Sequence, residues 1–326
     1  MSGAHNHHDA RAAHAESMGQ LTRGAAMASV ATASVLMFIK GYAAWYTGSI
    51  AMLGSLADTG LDLVASLMTL FGVYLAAQPA DETHRFGHGK AEALVALFQV
   101  AVIAASALAI GVRAVDRLMH HSATVDAELG IGASFIAVLM TGALVTYQRS
   151  VVKRTGSVAI STDHLHYQSD LLLNIAVIVA LALEAYLDVR GADALFGIGI
   201  ALWLLWGALR SSTEAIDQLM DREWPDEKRR RFVEIASEFP ELKSLHDLRT
   251  RSSGSMDFVQ FHIEVDGRMT IAEAHDITEA VEQRLAEAFP GTEILIHIDP
   301  EGQVDQPGNA LVEEDLIAKL KEEEPK

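Results

Sequence analysis

Ser55-Leu56-Ala57-Asp58-Thr59-Gly60-Leu61-Asp62 and His164-Leu165-His166-Tyr167-Gln168-Ser169-Asp170 each put ionisable residues inside an otherwise apolar stretch. Residues four apart lie on the same face of a helix. Asp58 with Asp62, and His166 with Asp170, therefore each form a two-ligand half-site. Two such halves facing each other provide three carboxylates and one imidazole, which suit a tetrahedrally coordinated divalent cation. The two stretches predict a metal site between two helices.

An alternative interpretation is that these are ordinary polar residues near helix ends, paired with Lys or Arg. The surroundings of Asp58 argue against it. Asp58 lies at least eight residues from each end of the apolar stretch 50–77, which contains no Lys or Arg. An unpaired carboxylate is costly to bury, and ionisable residues inside membrane segments are functional as a rule. We therefore favour the metal site.

Composition narrows the class of protein. The chain has 326 residues, of which 50% are hydrophobic, and a mean hydropathy of +0.20, which is typical of a membrane protein with a soluble domain. Cysteine is absent, so any metal must be held by His, Asp or Glu. The net charge of −18 is concentrated after the last apolar stretch, where residues 222–326 carry 25 acidic and 13 basic side chains. This charge excludes nucleic acid as a partner.

Six apolar stretches predict a bundle of six transmembrane helices within residues 23–221. Each is close to the ~20 residues that a helix needs to cross a bilayer. The second and fifth carry the ionisable pairs and are less hydrophobic, as expected of spans that face a bundle interior. The stretches are 25–46, 50–77, 91–112, 129–147, 165–187 and 193–216.

The distribution of basic residues predicts that both termini are cytoplasmic, because short cytoplasmic loops carry more Lys and Arg. Residues 1–22 form a polar tail with four histidines, to which we assign no site, and have no signal-peptide pattern. The inner flanks would hold Arg23, Arg85, Lys90, Arg149, Lys153, Arg154, Arg210 and Arg222, against Arg113, Arg117 and Arg190 outside.

A water-soluble α/β domain is predicted for residues 222–302. A helix at 226–239, strands at 242–251 and 256–266 around Ser252-Ser253-Gly254, a helix at 270–289 and a strand at 292–299 give the order α-β-β-α-β. We expect the acidic tail 303–326 to be flexible, with a weak amphipathic helix at 311–320.

Two further groups of residues have the composition of metal sites. Asp81, His84 and His88 lie between the second and third stretches and could converge at turn spacing, although such a loop could simply be hydrated. In the soluble domain, strand alternation puts Ile294, Ile296 and Ile298 on the buried face and His297 and Asp299 on the other. Solvated surface histidines are the alternative there. The candidate ligands of this domain are His246, His262, His275, His297 and Asp299.

These motifs resemble the cation diffusion facilitator family, membrane exporters of zinc and similar ions, and in particular its bacterial zinc or iron efflux members. The resemblance covers the chain from about Arg23 to Pro300. It implies a six-helix bundle with a cytoplasmic metallochaperone-like domain, in a homodimer in the bacterial inner membrane. It places Asp58, Asp62, His166 and Asp170 at the transport site and Asp81, His84 and His88 at a second site.

The resemblance also implies two ions in the cytoplasmic domain and a charge interlock near the membrane surface. One ion would be held by His246, His262 and Asp299. The second ion would be held by His262, His275, His297 and Asp299. The interlock would involve Lys90 and Asp221.

Together these features predict an antiporter that exchanges a divalent metal for protons by alternating access, and not an enzyme. Imidazole and carboxylate ligands are neutral and ionised, respectively, when they bind metal, so protonation releases it. The imidazole of His166 favours zinc, with Fe²⁺, Cd²⁺ or Co²⁺ as other substrates. The alternatives are an intramembrane hydrolase, for which no His-Glu-x-x-His motif or nucleophile elbow is present, and a membrane-anchored metal sensor, for which six spans are more than an anchor needs.

Overall fold

The computed structural model describes residues 3–47, 50–120, 128–187, 191–302 and 315–323. It divides into two compact units, and each is described here by itself. One unit comprises Met18–Asp217, and the other comprises Met1–Ser17 together with Gln218–Lys326.

The first unit is built from long helices. These are α1 (Gly3–Thr47, whose first residues belong to the second unit), α2 (Ile50–Ala76), α3 (Ala91–His120), α4 (Glu128–Thr155), α5 (Val158–Leu187) and α6 (Ala192–Leu219). Helix α1 begins well before the predicted span at 25–46, because the preceding segment is rich in alanine, the residue with the highest helix propensity. The polar tail predicted for residues 1–22 is therefore helical from Gly3 onward.

Five of the described helices contain a stretch long and apolar enough to cross a membrane. Helix α5 is 30 residues long, but the part of it whose side chains the structure describes does not contain a full stretch of this kind. The helical transmembrane domain is thus confirmed, while the span at 165–187 stays a prediction. The spans are Arg11–Tyr46, Ser55–Ala76, Ala91–Met119, Phe135–Thr155 and Ala194–Leu219.

Small residues let these helices approach closely. A β-carbon on Gly72 of α2 would lie 2.4 Å from Val95 Cγ2 of α3, and one on Gly207 of α6 would lie 2.9 Å from Leu165 of α5. Large apolar side chains point outward instead, with Phe38 and Trp45 both 80% exposed. This arrangement is that of a membrane bundle, in which small residues form the helix contacts and apolar side chains face lipid.

The second unit contains the α/β domain in the predicted order. Its elements are α7 (Asp226–Ala236), β1 (Ser244–Ser253), β2 (Met256–Val265), α8 (Ile271–Ala288), β3 (Thr292–Pro300) and α9 (Leu316–Glu323). The sheet order is β1-β2-β3, with β1 antiparallel and β3 parallel to β2, so α8 forms the crossover between parallel strands. The core lies between one face of the sheet and the helices, around Phe232, Phe261 and Phe289.

Two expectations for this domain need correction. Ile298 is 37% exposed rather than buried, although Ile294 and Ile296 do pack on the core, and it lies on β3, an edge strand of the sheet. The tail is not flexible throughout: α9 packs on the core, and Ile317 is 4% exposed. Apolar residues of α9 supply the burial that keeps it in place. Residues 303–314 and 324–326 of the tail lie outside the described part of the chain.

Candidate metal sites

Asp62 of α2 and His166 and Asp170 of α5 form a group that we call the membrane cluster. Their ligand atoms all lie within 4.8 Å of one another. His166 Nε2 is 3.1 Å from Asp62 Oδ1 and 3.9 Å from Asp170 Oδ2. His166 is buried, and its two carboxylate neighbours are partly exposed. The helical spacing of four residues thus produces a compact set of one imidazole and two carboxylates on facing helices.

Asp58 lies on the same helix as Asp62 but outside this group. It is exposed, and four residues correspond to about 6 Å along a helix axis, so it stands at one end of the membrane cluster. A neighbouring cation was missed in the sequence. Lys40 of α1 donates from Nζ to Thr59 Oγ1 at 2.7 Å, next to Asp58 in α2. Lys40 comes from another helix, so the residues of the stretch 50–77 alone do not reveal it.

Asp81, His84 and His88 form the loop cluster, between α2 and α3. Asp81 Oδ1 is 3.4 Å from His84 Nδ1, and Asp81 Oδ2 is 3.3 Å from His88 Nε2. The two imidazole rings lie 4.5 Å apart between centroids. A tight turn creates this convergence, because Asp81 Oδ1 accepts from the backbone N–H of Thr83 at 2.8 Å and of His84 at 2.6 Å.

The turn keeps Asp81 ionised. The backbone N–H of His84 and the hydroxyl of Thr83 hold the pKa of Asp81 well below its ordinary value of 3.8, because they stabilise the carboxylate. The loop cluster therefore offers a permanent negative charge beside two imidazoles. It is more exposed than the membrane cluster: the side chains of His84 and Asp81 are 59% and 49% exposed.

His246, His262 and Asp299 form the sheet cluster, on the face of the sheet opposite the core. Strand pairing places His246 beside His262 and His262 beside His297, so three imidazoles form a row across β1, β2 and β3. His262 Nδ1 is 2.9 Å from Asp299 Oδ2, and His246 Nε2 is 3.8 Å from the same oxygen. His297 Nε2 lies 3.2 Å from Asp299 Oδ1 but is largely exposed. The donor set of imidazole nitrogens and a carboxylate fits a borderline divalent cation such as zinc.

Two residues of this domain differ from the expectation. His275 lies exposed on α8. Among the described residues, it does not belong to a group whose ligand atoms all lie within 4.8 Å of one another. Asp247 was not predicted, because alternation would put it on the opposite face from His246. A β-bulge after His246, with Asp247 at a φ of 49°, instead brings Asp247 Oδ2 to 3.8 Å from His262 Nε2. A bulge of this kind has no clear signal in the sequence.

Asp221, one half of the implied interlock, has a φ of 56° and lies 3.7 Å from Arg251 Nη1 in the second unit. Lys90 lies in the other unit, directly before α3. A role between subunits stays a prediction for both residues.

The chain matches two family models across most of its length. The one described as cation efflux transmembrane domain matches residues 26–220, and the one described as cation efflux protein, cytoplasmic domain, matches residues 224–301. The chain belongs to the cation diffusion facilitator family. It is 46% identical over 278 residues to the cation-efflux pump FieF of Yersinia pestis (strain Pestoides F). The identity to the FieF pump of Yersinia pseudotuberculosis serotype O:3 (strain YPIII) is the same. Each alignment covers 85% of this chain and 92% of the relative.

Over part of its length, the chain is also similar to solved domains of other proteins. The metal-bound C-terminal domain of the CzcD transporter from Thermotoga maritima is 27% identical, with a TM-score of 0.24, over 25% of this chain and 99% of that domain. As a cation diffusion facilitator, the chain is a membrane transporter that exports metal cations. Its family membership favours transport over the hydrolase and sensor interpretations.

A buried carboxylate in the bundle of this cation diffusion facilitator also escaped prediction. Asp163 is 0% exposed and lies three residues before His166 on α5. The apolar stretch that the sequence predicts begins at 165, so Asp163 lies just before it. Its distance of three residues from His166 is helical spacing and could have flagged it.

Proposed function

We propose that this transporter exports zinc from the cytoplasm in exchange for protons, with Asp58, Asp62, His166 and Asp170 as the transport site. The observation that carries this proposal is the membrane cluster, in which one imidazole nitrogen lies 3.1 Å from one carboxylate and 3.9 Å from another between two long helices. Asp58 adds a carboxylate one turn along α2. A tetrahedral ion takes four such ligands.

Zinc fits this ligand set better than harder cations do. One imidazole with carboxylates is a borderline set, whereas calcium, magnesium and manganese favour oxygen ligands alone. The same set accepts Fe²⁺, Cd²⁺ and Co²⁺, which we regard as alternative substrates. The two Yersinia relatives are cation-efflux pumps.

Proton exchange follows from the chemistry of the ligands. His166 binds metal only when neutral, and the carboxylates bind only when ionised, so metal entry expels protons and protonation expels metal. Histidine is the side chain that titrates nearest to physiological pH. The residues of the membrane cluster would therefore take up protons on one side of the membrane and give them up to incoming metal on the other.

Alternating access would expose the transport site to one side at a time. The excess of Lys and Arg in the predicted inner loops supports a topology with both termini in the cytoplasm, and the bacterial inner membrane is the location that we propose for the chain. The C-terminal domain would then be cytoplasmic, hold zinc in the sheet cluster and join two chains in a homodimer. Lys90 and Asp221 would form the charge interlock in that dimer, and the loop cluster would bind metal at the inner surface.

Transport into proteoliposomes tests the proposal. We expect zinc to accumulate in vesicles that contain the purified protein when a pH gradient is imposed, and expect the accumulation to collapse when an ionophore removes the gradient. Asp62→Ala protein, checked for folding by size-exclusion chromatography, should give the rate of protein-free vesicles. Zinc flux that ignores the pH gradient would contradict proton exchange, and normal flux in Asp62→Ala would contradict the transport site.

A further inference from the structure

Asp163 of α5 is hydrogen-bonded to side chains from four other helices. Ser29 Oγ of α1 donates to its Oδ2 at 2.6 Å, and Gln148 Nε2 of α4 donates to the same oxygen at 2.7 Å. On the other oxygen, Oδ1, Gln99 Nε2 of α3 lies at 3.0 Å and Thr69 Oγ1 of α2 at 3.5 Å. We call these five side chains the Asp163 network. Each of the helices α1 to α4 sends one neutral donor to a single carboxylate on α5.

The network is arranged to present donors to Asp163. Within the part of the chain that the structure describes, the side-chain oxygens of Gln99 and Gln148 are buried and accept no hydrogen bond, so both amides turn their NH₂ groups toward the carboxylate. Leaving a buried carbonyl unpaired is costly, and a charge-assisted hydrogen bond is stronger than a neutral one. The arrangement therefore favours a side chain whose two oxygens both accept hydrogen bonds at this position.

A second layer continues the network toward the membrane cluster. Tyr167, next to His166 on α5, has its hydroxyl 2.6 Å from Ser66 Oγ of α2 and donates to the Ser29 backbone carbonyl at 3.2 Å. Ser29 therefore contacts both Asp163, through its hydroxyl, and Tyr167, through its carbonyl. These bonds fix the axial position and the rotation of α5 against α1 and α2 at the level of the residues that supply the metal ligands.

We infer that Asp163 is a positioning residue for metal transport: it holds α5 against α1 to α4 so that His166 and Asp170 face Asp62 at the separation that suits zinc. The inference rests on the proposed transport site. Asp163 and His166 are one helical turn apart, so a shift of α5 at the first displaces the second by a similar amount. His166 Nε2 is 3.1 Å from Asp62 Oδ1, and a looser α5 would widen this gap and accept larger ions.

The test compares zinc and cadmium transport in vesicles for wild type and Asp163→Asn. The amide is nearly isosteric, but its NH₂ group would face donors and its oxygen cannot replace both carboxylate oxygens. We expect a zinc rate about 10- to 100-fold lower, the usual cost of losing a group that orients metal ligands, and a smaller loss for the larger cadmium ion. A wild-type rate and zinc-to-cadmium ratio in the folded variant would overturn the inference.

A matched variant tests whether the change in selectivity comes from the positioning of α5 or from the loss of any buried carboxylate. Glu92 of α3 is also buried in the bundle and accepts from Ser157 Oγ at 2.5 Å. We expect Glu92→Gln to leave the zinc-to-cadmium ratio unchanged even where it lowers the yield of folded protein. An equal change of ratio in Glu92→Gln and Asp163→Asn would overturn the specific role of Asp163.

Two variants cover the case in which Asp163→Asn does not fold. Ser29→Ala removes the 2.6 Å donor to Asp163 and the oxygen that accepts from Gln148 Nε2 at 3.0 Å, and we expect it to lower the zinc-to-cadmium ratio in the same direction but less. Asp163→Asn combined with Gln148→Glu exchanges carboxylate and amide across the 2.7 Å contact and should recover part of the rate and the ratio. An unchanged ratio in Ser29→Ala would overturn the inference.

The same experiment distinguishes failure of the inference from failure of the transport site. Loss of flux in Asp62→Ala with wild-type behaviour in Asp163→Asn removes only the positioning role. Normal flux in Asp62→Ala removes the transport site itself, and with it the basis of the inference.

Discussion

The membrane cluster and the sheet cluster combine the same ligand types in opposite proportions. The membrane cluster has one imidazole, His166, and two carboxylates, whereas the sheet cluster has two imidazoles and Asp299, with His297 beside them. The backbone that presents them differs as well. Backbone hydrogen bonds between adjacent strands fix the histidines of the sheet, while side-chain packing and side-chain hydrogen bonds, those of the Asp163 network and of Tyr167 with Ser66, hold α5 against α2.

This difference matches two tasks. A transport site must release its ion, so ligands on separate helices that can move apart are suitable. A resident site benefits from ligands whose spacing cannot change, and hydrogen-bonded strands provide them. The comparison therefore predicts that changes in the membrane cluster affect flux and that changes in the sheet cluster affect stability and metal retention.

The largest expected effect comes from removing a carboxylate from the membrane cluster. Asp170→Ala should lower zinc flux at least about 100-fold, because an absent ligand costs more than a disturbed supporting group, which costs 10- to 100-fold. Initial rates in vesicles measure this. Glu214→Ala is the control, since Glu214 is an exposed partner of Arg210 on α6 and such pairs contribute little. Flux near the control level in folded Asp170→Ala would contradict the prediction that the membrane cluster determines flux.

Exchanging the imidazole for a carboxylate should change selectivity more than rate. His166→Asp makes an all-oxygen site, which favours harder ions, and we expect the ratio of zinc to manganese transport to fall about tenfold, or about 1.4 kcal/mol. Rates for zinc, cadmium and manganese between about pH 6 and 8 should show the pH dependence change as well, because the imidazole whose protonation competes with metal binding is gone.

The control for that selectivity change is His84→Ala, which removes an imidazole from the loop cluster instead. It should keep the wild-type preference among ions. If His84→Ala shifted the ratio and His166→Asp did not, the selectivity filter would lie in the loop and not in the membrane cluster.

The sequence allowed prediction of those parts of the molecule that depend on local periodicity. The spacing of four between His166 and Asp170 indicated a shared helix face, and strand alternation indicated the face of His262 and Asp299. Features that depend on how separate elements meet were not predictable. Lys40 approaches Thr59 from another helix, and α9 packs against a core that lies far from it in sequence. The bulge that redirects Asp247 also arises from strand register and has no local signal.

Removing an imidazole from the sheet cluster should have a moderate effect confined to metal retention and stability. Zinc that binds only the folded protein stabilises it by about 2.7 kcal/mol at a free concentration of about 100 Kd. We expect His262→Ala to lose most of this stabilisation, measured as the zinc-induced rise in melting temperature, and to keep more flux than Asp170→Ala.

His275→Ala is the matched imidazole variant for the sheet cluster, because His275 is exposed on α8 and lies outside it. It should retain the zinc-induced rise in melting temperature. A loss equal to that of His262→Ala would instead support the second ion that the family resemblance implies, with His275 as one of its ligands.

The smallest expected effect concerns pH and the loop cluster. Hydrogen bonds from His84 and Thr83 lower the pKa of Asp81, so the turn is stabilised above the ordinary value of 3.8 and loses this stabilisation only as pH falls through the lower, folded value. Between about pH 6 and 8 the charge of Asp81 is therefore constant, and metal binding at the loop cluster should depend on pH only through His84 and His88. Zinc binding by the full-length protein, measured across this range for wild type, His84→Ala and Asp81→Asn, checks this. Asp81→Asn should weaken binding by the same factor at every pH, whereas His84→Ala should flatten the pH dependence; a pH-dependent loss in Asp81→Asn would show that the turn does not hold the carboxylate ionised.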